Sequence, residues 1–221
     1  MKEKVYFTSD LHLGHANIIK YCNRPFLCEK DYEEWLKIGK KWHQGDYSEA
    51  SYRISPESVK IMDDYLIEQI NKTIPKDGIL WHLGDFTFGD PRPYLERINC
   101  RVRNIIGNHD KRSNQRYFDQ AYDLYELYDN KDLFVLCHYS MVSWNKSHRG
   151  SYMVYGHNHS LMEGYLNNLW PERRSMDIGV DNAKLILNEY RPFSLQEIKS
   201  LLNKQGHSKY FNIPEIIKPE E

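Results

Sequence analysis

Residues 151–160, SYMVYGHNHS, carry a run of apolar and aromatic residues into a glycine, after which two imidazoles follow two positions apart. A short apolar run stopped by glycine reads as a buried strand entering a loop. Side chains alternate faces along extended chain while i and i+2 point the same way, so His157 and His159 can face one cavity. Four more apolar runs likewise end in Asp, Asn or His. KVYFTSD (4–10) runs into Asp10 and His12, GILWHLGD (78–85) ends on Asp85, RVRNIIGNHD (101–110) ends on Asn108, His109 and Asp110, and DLFVLCHYS (132–140) contains His138. Strand ends of an α/β fold deliver side chains into one crevice. The residues alone therefore predict an α/β chain whose strand termini together make a metal site.

Carboxylate, imidazole and amide oxygen without thiolate suit Mn²⁺, Fe or Zn²⁺ better than a structural zinc. Seven such groups exceed what one ion needs and fit two ions about 3.5–4 Å apart that share a carboxylate. The four cysteines, Cys22, Cys28, Cys100 and Cys137, form no C-x-x-C pair and are expected as reduced core or boundary thiols. A formal charge of −1 over 221 residues lacks the broad basic field of a non-specific nucleic-acid binder. RVRN and DKRSNQR are the densest basic stretches, read first as solvated surface. The start MKEKVYFTSD has no signal-peptide apolar run, and no segment approaches the roughly 18 apolar residues that span a bilayer, so a cytoplasmic chain with no membrane partner is expected.

Between the ligand blocks, NIIKYC is expected as one short helix. Residues 28–60 read as a polar excursion from the core, with a helix before Gly45 carrying Trp35, Ile38 and Trp42. Ser55-Pro56-Glu57-Ser58 opens a helix with Val59, Met62, Leu66 and Ile70 at helical spacing. MDIGVDNAKLILNEYRPFSLQEIKSLL reads as one or two strands followed by a helix capped by Ser194, with Glu197 in the capping-box position. One domain over residues 1–202 with a loosely attached tail at 203–221 is expected.

The ordered blocks DLH, GDF, GNHD, H and GHNH resemble the calcineurin-like metallophosphoesterase superfamily, and their combination is highly specific. TSDLHLGHANIIKYCNRPF, HLGDFTFG, SWNKSHRGS and MDIGVD are further similar to a small bacterial and phage-type branch, from which the polar segment between Phe26 and Ile61 departs. The resemblance implies a four-layer α/β/β/α sandwich of two mixed sheets flanked by helices. It implies one divalent ion at Asp10, His12, Asp85 and His159 and a second at Asp85, Asn108, His138 and His157, with Asp85 bridging. Mn²⁺ is the expected ion, with Fe, Zn²⁺, Ni²⁺ or Co²⁺ as alternatives. His109 resembles the histidine that faces the leaving group, with Asp110 orienting its ring; an imidazole ordinarily titrates near neutral pH and suits a general acid.

His15 and Arg24 follow the first block, where they either contact substrate phosphate or serve as a cap and an internal ion pair. Arg112, Arg149 and His148 are weaker phosphate candidates. Trp144 either stacks a base or packs at a boundary. His82 and Cys137 read as buried strand residues, and Asp177 and Asp181 as strand terminators or caps. The activity implied is hydrolysis of a small, nucleotide-like phosphodiester or phosphomonoester by a metal-activated hydroxide. A nuclease of the same superfamily and a non-catalytic protein-binding scaffold are the alternatives. Residues 28–60 are expected to border the substrate cleft.

Overall fold

The computed structural model describes residues 4–43 and 52–203, so the expected tail and part of the 28–60 segment lie outside the described residues. The chain begins with β1 (Val5–Thr8), α1 (Ala16–Tyr21), α2 (Glu29–His43), α3 (Pro56–Thr73), β2 (Ile79–His82), α4 (Arg92–Leu95) and β3 (Arg101–Ile105). It continues through β4 (Gln120–Tyr122), β5 (Leu124–Asp129), β6 (Asp132–Cys137), β7 (Tyr152–Tyr155), α5 (Glu163–Leu169), β8 (Ser175–Asp177), α6 (Val180–Leu187), β9 (Phe193–Ser194) and α7 (Leu195–Asn203). One sheet has the order β4-β3-β2-β1-β9 and the other β5-β6-β7-β8. Both are mixed: β9 runs antiparallel to β1 and β5 antiparallel to β6, while the inner pairs are parallel. The expected sandwich of two mixed sheets flanked by helices is the observed architecture.

Parallel strands covered on both faces carry near-continuous apolar sequence, which is why ILWH and YMVY are buried at every position. Phe7, Trp81 and Ile105 of the first sheet meet Phe134, Leu136 and Val154 of the second in the inter-sheet core. Each such side chain contributes about 1.5–3 kcal/mol through burial. The first sheet's outer face is covered through Ile18 and Ile19 of α1 and Met62, Leu66 and Ile70 of α3. The second sheet's outer layer is thinner, with Val135, Cys137, Met153 and Tyr155 lying under Trp144, Leu166 and Trp170.

Ser55 caps α3 by accepting from the Ser58 N–H at 3.4 Å, with Pro56 in the first turn. Ser194 and Glu197 form the expected reciprocal pair, Ser194 N–H donating to Glu197 at 2.8 Å and Glu197 N–H to Ser194 Oγ at 3.2 Å. The described parts of the 28–60 excursion are tied down more firmly than their polarity suggests. Buried Asp31 of α2 accepts from Ser55 N–H, Ser55 Oγ, Ser58 Oγ and Tyr52 Oη at 2.6–2.8 Å. Trp35 and Ile38 are buried as well. No helix among the described residues is long and apolar enough to cross a membrane.

Candidate metal centre

The five ligand-bearing blocks leave the C-terminal ends of β1, β2, β3, β6 and β7 and converge at the seam between the sheets. Backbone hydrogen bonds stitch these loops together: Asp10 N–H donates to Gly84 O at 3.0 Å, His12 N–H to Asp85 O at 3.0 Å, and Gly156 N–H to His138 O at 3.0 Å. Asp10, His12, Asp85, His157 and His159 all have left-handed backbone, with φ of 57°, 50°, 61°, 72° and 47°. Non-glycine residues reach this region only when the surroundings over-determine it, and such residues cluster at functional sites.

Asp10, His12 and His159 bring their ligand atoms within 4.8 Å of one another, as do Asp85, His138 and His157. Asp85 joins the two groups, since its Oδ2 lies 3.6 Å from His12 Nε2 and 3.5 Å from His138 Nε2. Its Oδ1 accepts from His109 N–H at 2.9 Å. Asn108 adds its Oδ1 at 3.0 Å from His138 Nε2. All seven expected ligand positions therefore meet in one centre.

Hydrogen bonds on the far side of two rings fix which nitrogen looks inward. His138 Nδ1–H donates to Leu83 O at 2.8 Å, and His159 Nδ1–H to Asp181 at 2.7 Å, so each presents Nε2 to the centre. Both ring nitrogens of buried His12 lack a hydrogen-bond partner. Burial pushes His12 down to about 2, outweighing Asp85, so the ring stays neutral and keeps a lone pair to donate. An orphaned, neutral imidazole facing a carboxylate that two other ligands approach is what a cation site requires, and the donor set fits a pair of divalent ions. Burial alone would raise Asp85, but His138 and the His109 N–H hold it well below the usual carboxylate range. His159 is opposed by burial yet raised to about 11 by Asp181 and Cys22, so an ion taking Nε2 displaces a proton.

The glycines of these turns act in two ways. Gly84 has φ of +96°, backbone that glycine adopts without steric cost. Gly107 and Gly156 are instead needed for close approach, because a Cβ on Gly107 would run into Asp85 and one on Gly156 into Ser9 and Asp10.

Three expectations are corrected. Arg24 does not face the cleft: it is 1% exposed, and its guanidinium donates to Asp181 at 2.9 and 2.8 Å and to the carbonyls of Leu11 and Asp10 at 3.0 and 2.7 Å. The internal ion pair prevails, because five planar N–H donors match a carboxylate and two backbone carbonyls in a buried pocket. Asp110 is committed to the Asp85, Phe86 and Gly107 N–H groups at 2.9–3.0 Å and to Asn104 Nδ2 at 3.2 Å, rather than to the His109 ring. It fastens the loop of Asp85 to that of Asn108. Asp181, read as a cap, instead bridges His159 and Arg24 and is the site residue that sequence reading missed.

His15 is brought to the centre, its ring 5.8 Å from that of His12. His109 lies 5.7 Å from the His12 ring. Arg112 is exposed and paired with Asp123 at 2.6 Å, and Arg149 is exposed in the one-turn segment Ser147–Arg149. Trp144 is buried, its ring 6.0 Å from Trp170 and its Nε1–H on Ser151 O at 3.3 Å, which is boundary packing. His82 is buried with Nδ1 3.0 Å from Asn104 Oδ1, and Asp177 accepts from the Gly179 and Ser160 N–H groups as a cap.

No family model matches the chain. An uncharacterized protein of Methanocaldococcus jannaschii is 29% identical over 206 residues, covering 91% of this chain and 92% of that protein. The gene 66 protein of Mycobacterium phage D29 is 27% identical over 113 residues, 48% of this chain and 40% of its own length. Among solved structures, a protein of unknown function from Aquifex aeolicus shares the fold, with a TM-score of 0.60, 22% identity and coverage of 90% of this chain and all of that one. The phosphoesterase YfcE from E. coli aligns at a TM-score of 0.33 and 16% identity over 71% of this chain and 70% of its own.

Proposed function

We propose that the protein is a phosphoesterase dependent on two divalent ions, Mn²⁺ first among them, acting on a small nucleotide-like phosphodiester in the cytoplasm. The observation that carries this reading is Asp85 Oδ2 held 3.6 and 3.5 Å from the facing nitrogens of His12 and His138, one from each ligand group. Asp10, His12 and His159 would hold one ion and Asn108, His138 and His157 the other, with Asp85 shared. Ions held by these residues would supply a lowered pKa to a bound water and charge neutralisation to the phosphoryl oxygens. Asp181 and Leu83 O keep His159 and His138 in the ligating tautomer, and Asp110 holds the two loops in register. His109, on the exposed side of the centre, gives its proton to the departing oxygen.

The test uses protein stripped of metal and restored with Mn²⁺. Bis(p-nitrophenyl) phosphate turnover exceeding that of p-nitrophenyl phosphate supports the diesterase, and no turnover of either with any transition ion overturns it in favour of a scaffold. Salt-sensitive cleavage of single-stranded DNA with weak small-diester turnover would favour the nuclease reading. His109→Ala sharpens the assignment. An acid catalyst matters most for a poor leaving group, so this variant is expected to slow alkyl-ester substrates by about 10²–10⁴-fold and p-nitrophenyl esters far less, with metal content unchanged. Equal loss on both substrate types would place His109 outside leaving-group protonation.

A further inference from the structure

The sequence FTF, residues 86–88, places two aromatic rings in opposite surroundings. Phe86 is fully buried, whereas Phe88 is 37% exposed at the mouth of the metal centre. The Phe88 ring centroid lies 4.3 Å from that of His109, 4.5 Å from His15 and 5.7 Å from His12. Its backbone is held on both sides. Thr87 Oγ1 donates to Leu13 O at 2.7 Å, Gly89 N–H donates to Thr87 Oγ1 at 3.1 Å, and Asn114 Nδ2 donates to Gly89 O at 2.8 Å. A rigid turn thus fixes an apolar ring among imidazoles, where its partial exposure forgoes part of the stabilisation that full burial of a phenylalanine contributes. The ring adjoins the imidazole assigned to the leaving oxygen, which puts a group carried by that oxygen within its reach.

We propose that Phe88 is the platform on which a nucleobase of the departing alcohol stacks, making the substrate class a nucleoside phosphodiester read on its leaving arm. The inference rests on the phosphoesterase reading. In the step itself a water oxygen bonds to phosphorus as the water sheds a proton, the bond from phosphorus to the ester oxygen breaks, that oxygen leaves as the nucleoside hydroxyl with the His109 proton, and the proton shed by the water restores His109. The base takes no part in bonding. It contributes only contact area, and stacking of a base on an aromatic side chain is worth about 1–3 kcal/mol, or roughly 5- to 150-fold.

The experiment compares the Mn²⁺-loaded full chain on a dinucleoside monophosphate and on two analogues in which one or the other base is replaced by a tetrahydrofuran abasic residue. The leaving oxygen is chemically the same in all three, so differences report recognition. Removing the base from one arm is expected to lower kcat/KM about 5- to 150-fold for the wild type. Phe88→Ala is expected to bring that ratio close to 1, and Phe88→Trp to keep it. A wild type indifferent to both bases, or a Phe88→Ala variant with the wild-type ratio, overturns the inference. Turnover of bis(p-nitrophenyl) phosphate with base-blind or absent dinucleotide hydrolysis overturns it alone; absence of turnover of every diester overturns the phosphoesterase reading with it.

Discussion

Asp85→Asn is expected to lose at least about 10³-fold in diester turnover, roughly 4 kcal/mol of transition-state stabilisation. Its ion content, measured by mass spectrometry after gel filtration, is expected to fall from two per chain to one or fewer. The substitution is nearly isosteric and keeps an oxygen for the His109 N–H, so the loop of Asn108 and His109 retains its anchor. What disappears is the negative charge between His12 and His138, and a neutral amide cannot serve two cations as a shared carboxylate does. Wild-type turnover with two ions retained would show that Asp85 bridges nothing. A variant that keeps both ions but no activity would move its role from holding the ions to the reacting water.

Arg24→Met is expected to destabilise the fold by about 3–5 kcal/mol, because it takes the paired guanidinium from the buried Asp181 carboxylate and leaves that charge on His159. Urea unfolding would read this as a lowered midpoint, and at this chain length it corresponds to about 6–20 °C in Tm. The acid limb follows from the same pair. Burial opposes the Asp181 charge, but Arg24 and His159 hold its pKa below the ordinary carboxylate value. A depressed carboxylate contributes stability above its unfolded pKa of about 3.9 and loses it as pH falls through the folded one, so Arg24→Met is expected to flatten stability below about pH 4. Adding Asp181→Leu should restore most of the stability, since apolar replacement of a whole buried pair is often neutral or better. It should not restore ion affinity, expected to stay about 10–100-fold weaker because His159 Nδ1–H has lost its acceptor. Full affinity in the double variant would reduce Asp181 to packing.

The parts of this molecule that the sequence discloses are those written in short-range grammar. The strand ends were legible because apolar runs that end in Asp, Asn or His need only the two-residue period and a turn. The helix α3 announces itself through Ser55 and Pro56 and four apolar residues at helical spacing. By contrast, the stretch from Met176 reads as one or two strands before the last helix, and β8 and β9 supply these, but the α6 helix between them goes unannounced: it has eight residues, leaves Leu185 and Ile186 exposed and ends at Asn188 with φ of 58°. So short an element shows no clear helical period. Arg24 and Asp181 are 157 residues apart, and nothing local marks either as the other's partner. An acid in the first turn of a helix that follows a strand end was the one available hint. Phe86 and Phe88 are two apart, a spacing that shares one face in extended chain, yet Phe86 is fully buried and Phe88 exposed, a difference that no local signal discloses.

The ligand groups draw on both sheets at once, with Asp10, His12 and Asp85 from one and His138, His157 and His159 from the other. Two ions there would act as rivets through the laminate, so prying the layers apart and releasing the cargo become a single event. Resistance to heat and proteolysis should then track the metal supply: free ion at 100 times its Kd raises unfolding free energy by about 2.7 kcal/mol per site, which a melting curve against Mn²⁺ concentration reads directly. A cell that starves this protein of metal would thereby weaken the joint that keeps it whole, tying its lifetime to the same resource as its chemistry.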